Sequence, residues 1–179
     1  MTPAPEAVLP ILERTPRVLD ALLRDLPDAW TLANEGGETW TPKAVIAHYI
    51  HTDRHNWIPR IQLIMESTTP PRFADMSRVP DSEDPNRKSI SQLLDLFADL
   101  RCLNLAALHE FKLKGADLDR TALHPTFGEV TLGNLLATWA AHDLTHLHQL
   151  SRTLAHQLRD DIGPWTVFLG VMHCTGHRS

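Results

Sequence analysis

The chain has 179 residues, of which 42% are hydrophobic and 22% charged, and its formal net charge is −5. That size and balance predict one soluble globular domain and exclude wholesale disorder. With 17 basic against 22 acidic residues, no broad basic face for nucleic acid is expected, which leaves room only for a local patch. No apolar run approaches the ~18 residues of a membrane span. The N-terminal stretch lacks a basic region followed by a long apolar one, so no signal peptide is expected. Cys102 and Cys174 are too few for a disulfide scaffold, which points to the cytoplasm.

Taken in chain order, the first segment covers residues 4–26. It is apolar at Val8, Ile11, Leu12, Leu19, Leu22, Leu23 and Leu26, a helical spacing. Pro10 and Pro16 suggest that its regular helix starts near Thr15, with Pro27 ending it. The second segment opens at Thr41-Pro42, an N-cap followed by a proline where the missing N–H costs nothing. It runs to about Glu66, and Pro59 inside it predicts a kink. Residues 67–88, with Pro70, Pro71, Pro80 and Pro85, form a long connection. Such connections join helices that are not antiparallel neighbours, or they cover a site.

Ser89 and Gln92 form a capping-box pattern that starts the third helix, which runs to about Lys114 before Gly115. A turn-rich stretch with Pro125 and Gly128 leads to Thr131, the N-cap of a last long helix reaching about Arg159. Gly163-Pro164 breaks it, and residues 165–172 can form one short further helix. Four long amphipathic segments and no credible strand predict an all-α domain, a four-helix bundle with a long connection between helices two and three.

The strongest chemical signal is His142-Asp-Leu-Thr-His146 on the last helix. A spacing of four places two imidazoles ~40° apart and ~6 Å along the axis, the geometry with which one helix clasps one metal. The competing reading is a pair of ordinary histidines at the bundle rim. His148 points ~200° away from His146 and reads as surface. On the second helix His48, His51 and His55 fall within ~60°, a histidine stripe beside an apolar stripe. Bundle-core metal sites are assembled from such facing helices, but spacing does not choose among the three.

The run WTPKAVIAH from Trp40 to His48 resembles the start of the second helix in the DinB/YfiT-like metalloenzyme family. The run GEVTLGNLLATWAAHDLTHLHQL from Gly128 to Leu150 resembles that family's fourth-helix signature. The order of these motifs, the proline-rich middle and the Gly163-Pro164-Trp165 ending match too. This resemblance covers nearly the whole chain. It implies a DinB/YfiT-like four-helix bundle, often a homodimer, with a divalent ion such as zinc or nickel. It also implies that the ligands are His48, His142 and His146, and so selects His48 over its neighbours. Relatives include transferases that use a low-molecular-weight thiol, such as bacillithiol or mycothiol, on a small-molecule substrate. The alternative is a non-catalytic metal-binding or stress-associated bundle.

Three neutral imidazoles leave a tetrahedral ion one open position, where a bound water or thiol loses its proton more easily. No His-Glu-x-x-His run is present, which argues against a metalloprotease, and the paired Glu-x-x-His runs of di-iron bundles are missing. Asp143 lies ~100° from His142 and is not expected to ligate the same ion. It is either a partner acting through an adjacent helix or a plain polar residue. Asp53, ~140° from His48, is given no catalytic role. A second zinc site at His173, Cys174 and His177 is disfavoured by its terminal position.

Overall fold

The computed structural model describes residues 5–76 and 83–174. Helices α1 (Pro5–Leu23), α2 (Asp28–Thr31), α3 (Pro42–His55), α4 (Trp57–Glu66) and α5 (Ile90–Glu110) precede a hairpin of β1 (Thr121–His124) and β2 (Gly128–Thr131). Helix α6 (Leu132–His156) follows directly. The start signals act as expected. Thr41 Oγ1 accepts from the Ala44 N–H at 3.2 Å. Ser89 and Gln92 cap one another at 3.2 and 2.9 Å, and Thr131 and Asn134 do the same at 3.0 Å each way.

The prolines act differently from expectation. Helix α1 does not wait for Thr15 but runs from Pro5 through Pro10 and Pro16. Pro16 has no N–H to offer the Leu12 carbonyl one turn back. That carbonyl instead accepts from Arg101 Nη1 on α5 at 3.2 Å, so the missing helical bond is replaced by a tertiary one. Pro59 does break the second segment, but the break sits at Asn56, between α3 and α4. A proline deprives and crowds the carbonyl four residues back, here that of His55, so the distortion appears ahead of the ring.

Three further expectations need correction. Helix α5 stops at Glu110 rather than Lys114, because Lys112 turns to a left-handed φ of 48°. Residues 165–172 form two short 3-10 turns, Gly163–Phe168 and Gly170–Met172, in place of one helix. The turn-rich stretch is a true antiparallel hairpin pairing Thr121 with Thr131 and His124 with Gly128. Its three-residue loop, residues 125–127, leads into Gly128 at the start of β2, whose φ of 75° is one that glycine adopts without strain.

Helix α1 packs on α5 and α6, and α3 packs on α5 and α6. Directions follow from the contacts. Leu12 meets Arg101 and Arg24 meets Asp95, so α1 and α5 are antiparallel. Tyr49 meets Phe97 and Asp53 meets Arg101, so α3 and α5 run parallel. A parallel neighbour requires the chain to return along the bundle between α4 and α5. Part of this connection is pinned to the hairpin, where Phe73 N–H donates to the Leu123 carbonyl at 2.9 Å and the Leu123 N–H to that of Pro71 at 2.7 Å, and its Phe73, Asp75 and Met76 line a cavity. Its Pro80 lies outside the described residues. No helix among the described residues is long and apolar enough to cross a membrane.

The core is two apolar clusters. One gathers Leu12, Trp57, Ile61, Leu108, Leu136 and Trp139; the other Leu19, Ile46, Ile50, Leu93, Phe97 and Leu150. Between them lies a polar layer with one contribution from each bundle helix: the Leu12 carbonyl, Asp53, Arg101 and Asp143.

Candidate metal centre

The cap at Thr41-Pro42 sets the start of α3 and so the phase at which His48 faces α6. His142 and His146 face it from α6. The three Nε2 atoms converge: His142 Nε2 is 3.0 Å from that of His48 and 3.2 Å from that of His146. Ligand nitrogens around a tetrahedral ion with ~2.0–2.1 Å bonds stand ~3.3–3.4 Å apart. Two of the three separations are close to that spacing, and all three donor atoms lie within 4.8 Å of one another, a set that could gather around one divalent ion. Among the described residues this is the one cluster with metal-ligand geometry.

The neighbours of the predicted residues are as follows. His148 is exposed, as its phase predicts. His55 is exposed, whereas His51 is buried and lines a cavity. His173 and Cys174 are exposed and bond to the Thr166 and Gly170 carbonyls; His177 lies outside the described residues.

The orientation of His146 is set by Gln149, one turn on. Its Nδ1 and Gln149 Oε1 are 2.7 Å apart, so Nδ1–H donates and the Nε2 lone pair is left facing the centre. Gln149→Leu removes that acceptor. We expect metal affinity to fall about 10–100-fold, the range for such supporting bonds, read by chelator competition. Unchanged affinity would show that Gln149 does not orient the ring.

His142 Nδ1 is buried without a hydrogen-bond partner among the described residues and stands 3.9 Å from Asp143 Oδ1, too far for a bond. Asp143 is not a plain polar residue: it is fully buried and ion-paired to Arg101. Burial works to raise its carboxyl, but the His142 ring and the Arg101 guanidinium outweigh it and hold it below its ordinary value. Tyr49 Oη donates to the Asp143 carbonyl at 2.6 Å.

Sequence reasoning missed Arg101. Its side chain is 1% exposed, and all five of its N–H donors are used. Nε and Nη2 donate to Asp53, Nη1 and Nη2 to Asp143, and Nη1 also to Leu12. The signal was present: Arg101 interrupts the apolar stripe of Leu93, Leu94, Phe97 and Leu108 on α5.

Two cavities meet at the histidines, and Trp40, His48 and His142 line both. The larger, about 600 Å³, carries the aromatic and apolar groups Trp57, Phe73, Phe127 and Leu135, interspersed with polar ones such as Arg60, Asp75 and Asn134. The other, about 570 Å³, is polar, with Glu35, Glu38, Gln149 and Arg152. Trp40 packs 4.8 Å from the His48 ring and Trp57 sets an edge 5.1 Å from that of His142. Trp139 stacks on Trp57 at 5.6 Å.

Burial, helped by the His146, His142 and His51 rings, pushes the His48 imidazole down to about 3. In the unfolded chain such a ring titrates near ~6.5. As pH falls the unfolded state takes up the proton first. The stability contributed by neutral His48 is complete above about 6.5 and is lost progressively toward about 3. The melting temperature of the metal-free protein should fall through that window, and His48→Leu should flatten the decline. A wild-type melting temperature that stays constant through the window would refute this.

The profile of the DinB superfamily matches residues 11–150. No curated protein matches the chain. Among solved structures, YfiT from Bacillus subtilis, described as a probable metal-dependent hydrolase with an unusual four-helix bundle topology, superposes with a TM-score of 0.69. It is 22% identical over 86% of this chain and 87% of its own. TT2238, a four-helix bundle protein, superposes with a TM-score of 0.54 at 25% identity, over 84% of this chain and 100% of its own. The matched profile spans the bundle from α1 to α6 and includes all three converging histidines, and on that ground the chain belongs to the DinB superfamily.

Proposed function

We propose that the protein is a divalent-metal-dependent enzyme that joins a low-molecular-weight thiol to an electrophilic small molecule, with zinc or nickel held by His48, His142 and His146. The observation that carries this reading is the meeting of two cavities at one histidine cluster, one rich in aromatic side chains and the other lined by carboxylates and a guanidinium. A transfer between two substrates needs a compartment for each, with the reacting atoms at the boundary. An ion bound by three neutral imidazoles supplies positive charge that favours the thiolate over the thiol at the open position. In the reaction the thiol proton goes to solvent, the sulfur forms a bond to the electrophilic carbon, and the leaving group departs with its electron pair. Trp40 and Trp57 exclude water beside the cluster, and Gln149 keeps the His146 lone pair aimed inward.

Hydrolysis is the second reading. The description of YfiT as a metal-dependent hydrolase favours it, and the same donor set activates water. A non-catalytic metal-binding bundle is the third. We also propose a cytoplasmic homodimer, to be tested by light scattering, where a monomer at micromolar concentration would refute it.

Untagged protein with its metal restored separates the readings. Turnover that requires a thiol supports transfer, and turnover without one supports hydrolysis. With cobalt substituted, added thiol should produce a sulfur-to-metal charge-transfer band that His146→Ala abolishes. No turnover and no spectral response to any thiol or anion would leave the structural reading standing.

A further inference from the structure

Among the described residues two arginines are buried, and they are used differently. Arg101 has every donor taken. Arg152 is 8% exposed and lines the polar cavity together with His48, His142 and His146. Its Nε–H donates to Glu35 Oε1 at 2.7 Å, while Nη1 is buried with no partner among the described residues. A buried guanidinium with unused donors is costly unless an acceptor arrives, and its planar fork matches a carboxylate.

The surroundings narrow the acceptor. Glu35 and Glu38 line the same cavity, two carboxylates beside one guanidinium. They repel a dianion such as phosphate more strongly than a single carboxylate. Along α6 the rise from His146 to Arg152 is ~9 Å, within reach of a small molecule once the long arginine side chain is counted.

We propose that Arg152 is a binding residue that anchors the carboxylate of a small molecule occupying the polar cavity, with the molecule's other end toward the three histidines. Resting on the thiol-transfer reading, this makes the donor a thiol that carries one carboxylate. The aromatic cavity is left to the electrophile. Glu35 holds the guanidinium in place through Nε, and Thr153 Oγ1, 3.3 Å from the same Glu35 oxygen, steadies that carboxylate.

The test is a ligand-observed NMR titration of zinc-loaded protein with 3-mercaptopropionate and with 2-mercaptoethanol. The carboxylate-bearing thiol should bind about tenfold or more tightly, the size of one charge-assisted contact. Arg152→Met should erase that preference and leave 2-mercaptoethanol binding unchanged, and Arg152→Lys should keep part of it. Because Arg152→Met strips Glu35 of its partner, the Glu35→Gln, Arg152→Met pair is titrated beside it and should behave alike. Propionate, which has no thiol, is titrated against metal-free protein. Binding there that Arg152→Met abolishes supports the anchor even if no ion is taken up, an outcome that would sink only the metal reading. A preference that survives Arg152→Met, equal binding of both thiols by wild type, or propionate binding indifferent to Arg152 would each overturn the proposal.

Discussion

Replacing Arg101 by methionine should destabilise the protein by about 3–5 kcal/mol, the cost of stranding buried charge without its partner. The cause is specific. Asp53 and Asp143 would be left facing each other in a dry layer, and the Leu12 carbonyl would lose the donor that stands in for the N–H of Pro16. For a domain of this size the melting temperature should fall by roughly 10 °C or more. The decisive companion is the triple change Arg101→Met, Asp53→Asn, Asp143→Asn. Removing all three charges should recover much of the loss, because a buried ion cluster contributes less than the penalty of breaking it. A single Arg101→Met variant with an unchanged denaturation midpoint would show that the layer is not dry.

Alanine at His48, His142 or His146 should each cost more than about 100-fold in affinity for a divalent ion, since even supporting residues cost about 10–100-fold. His148→Ala should cost nothing, because that ring is exposed on the far side of α6. Metal content of untagged protein, measured after dialysis against a weak chelator, is the readout. Equal content in wild type and His142→Ala would dismiss the site.

The bundle and the histidine pair were legible because both rest on local periodicity and capping. Thr41, Ser89 and Thr131 act as caps in the structure as their sequence contexts predict. The third histidine was not legible from spacing. His48, His51 and His55 share one helical arc, and only the rotation of α3 against α6 decides which reaches the pair. The hairpin escaped because four-residue strands are too short to show alternation. The start of α1 escaped because a proline penalty estimated locally ignores a donor arriving from 89 residues away. Arg152 escaped because its meaning lies in a cavity built partly by the loop that carries Glu35.

The ionic layer also governs how the helices line up lengthwise. The apolar clusters above and below it pack without directional bonds, so they specify lengthwise position less sharply than charge pairing does. A slip of one turn, ~5.4 Å, would carry Asp53 or Asp143 past the guanidinium and into hydrocarbon. His48 lies five residues before Asp53 on α3, and His142 is adjacent to Asp143 on α6. The same slip between α3 and α6 would pull their Nε2 atoms too far apart to share one ion. Arg101, on a third helix, thus acts as the pin that keeps the histidines of two other helices at a common height.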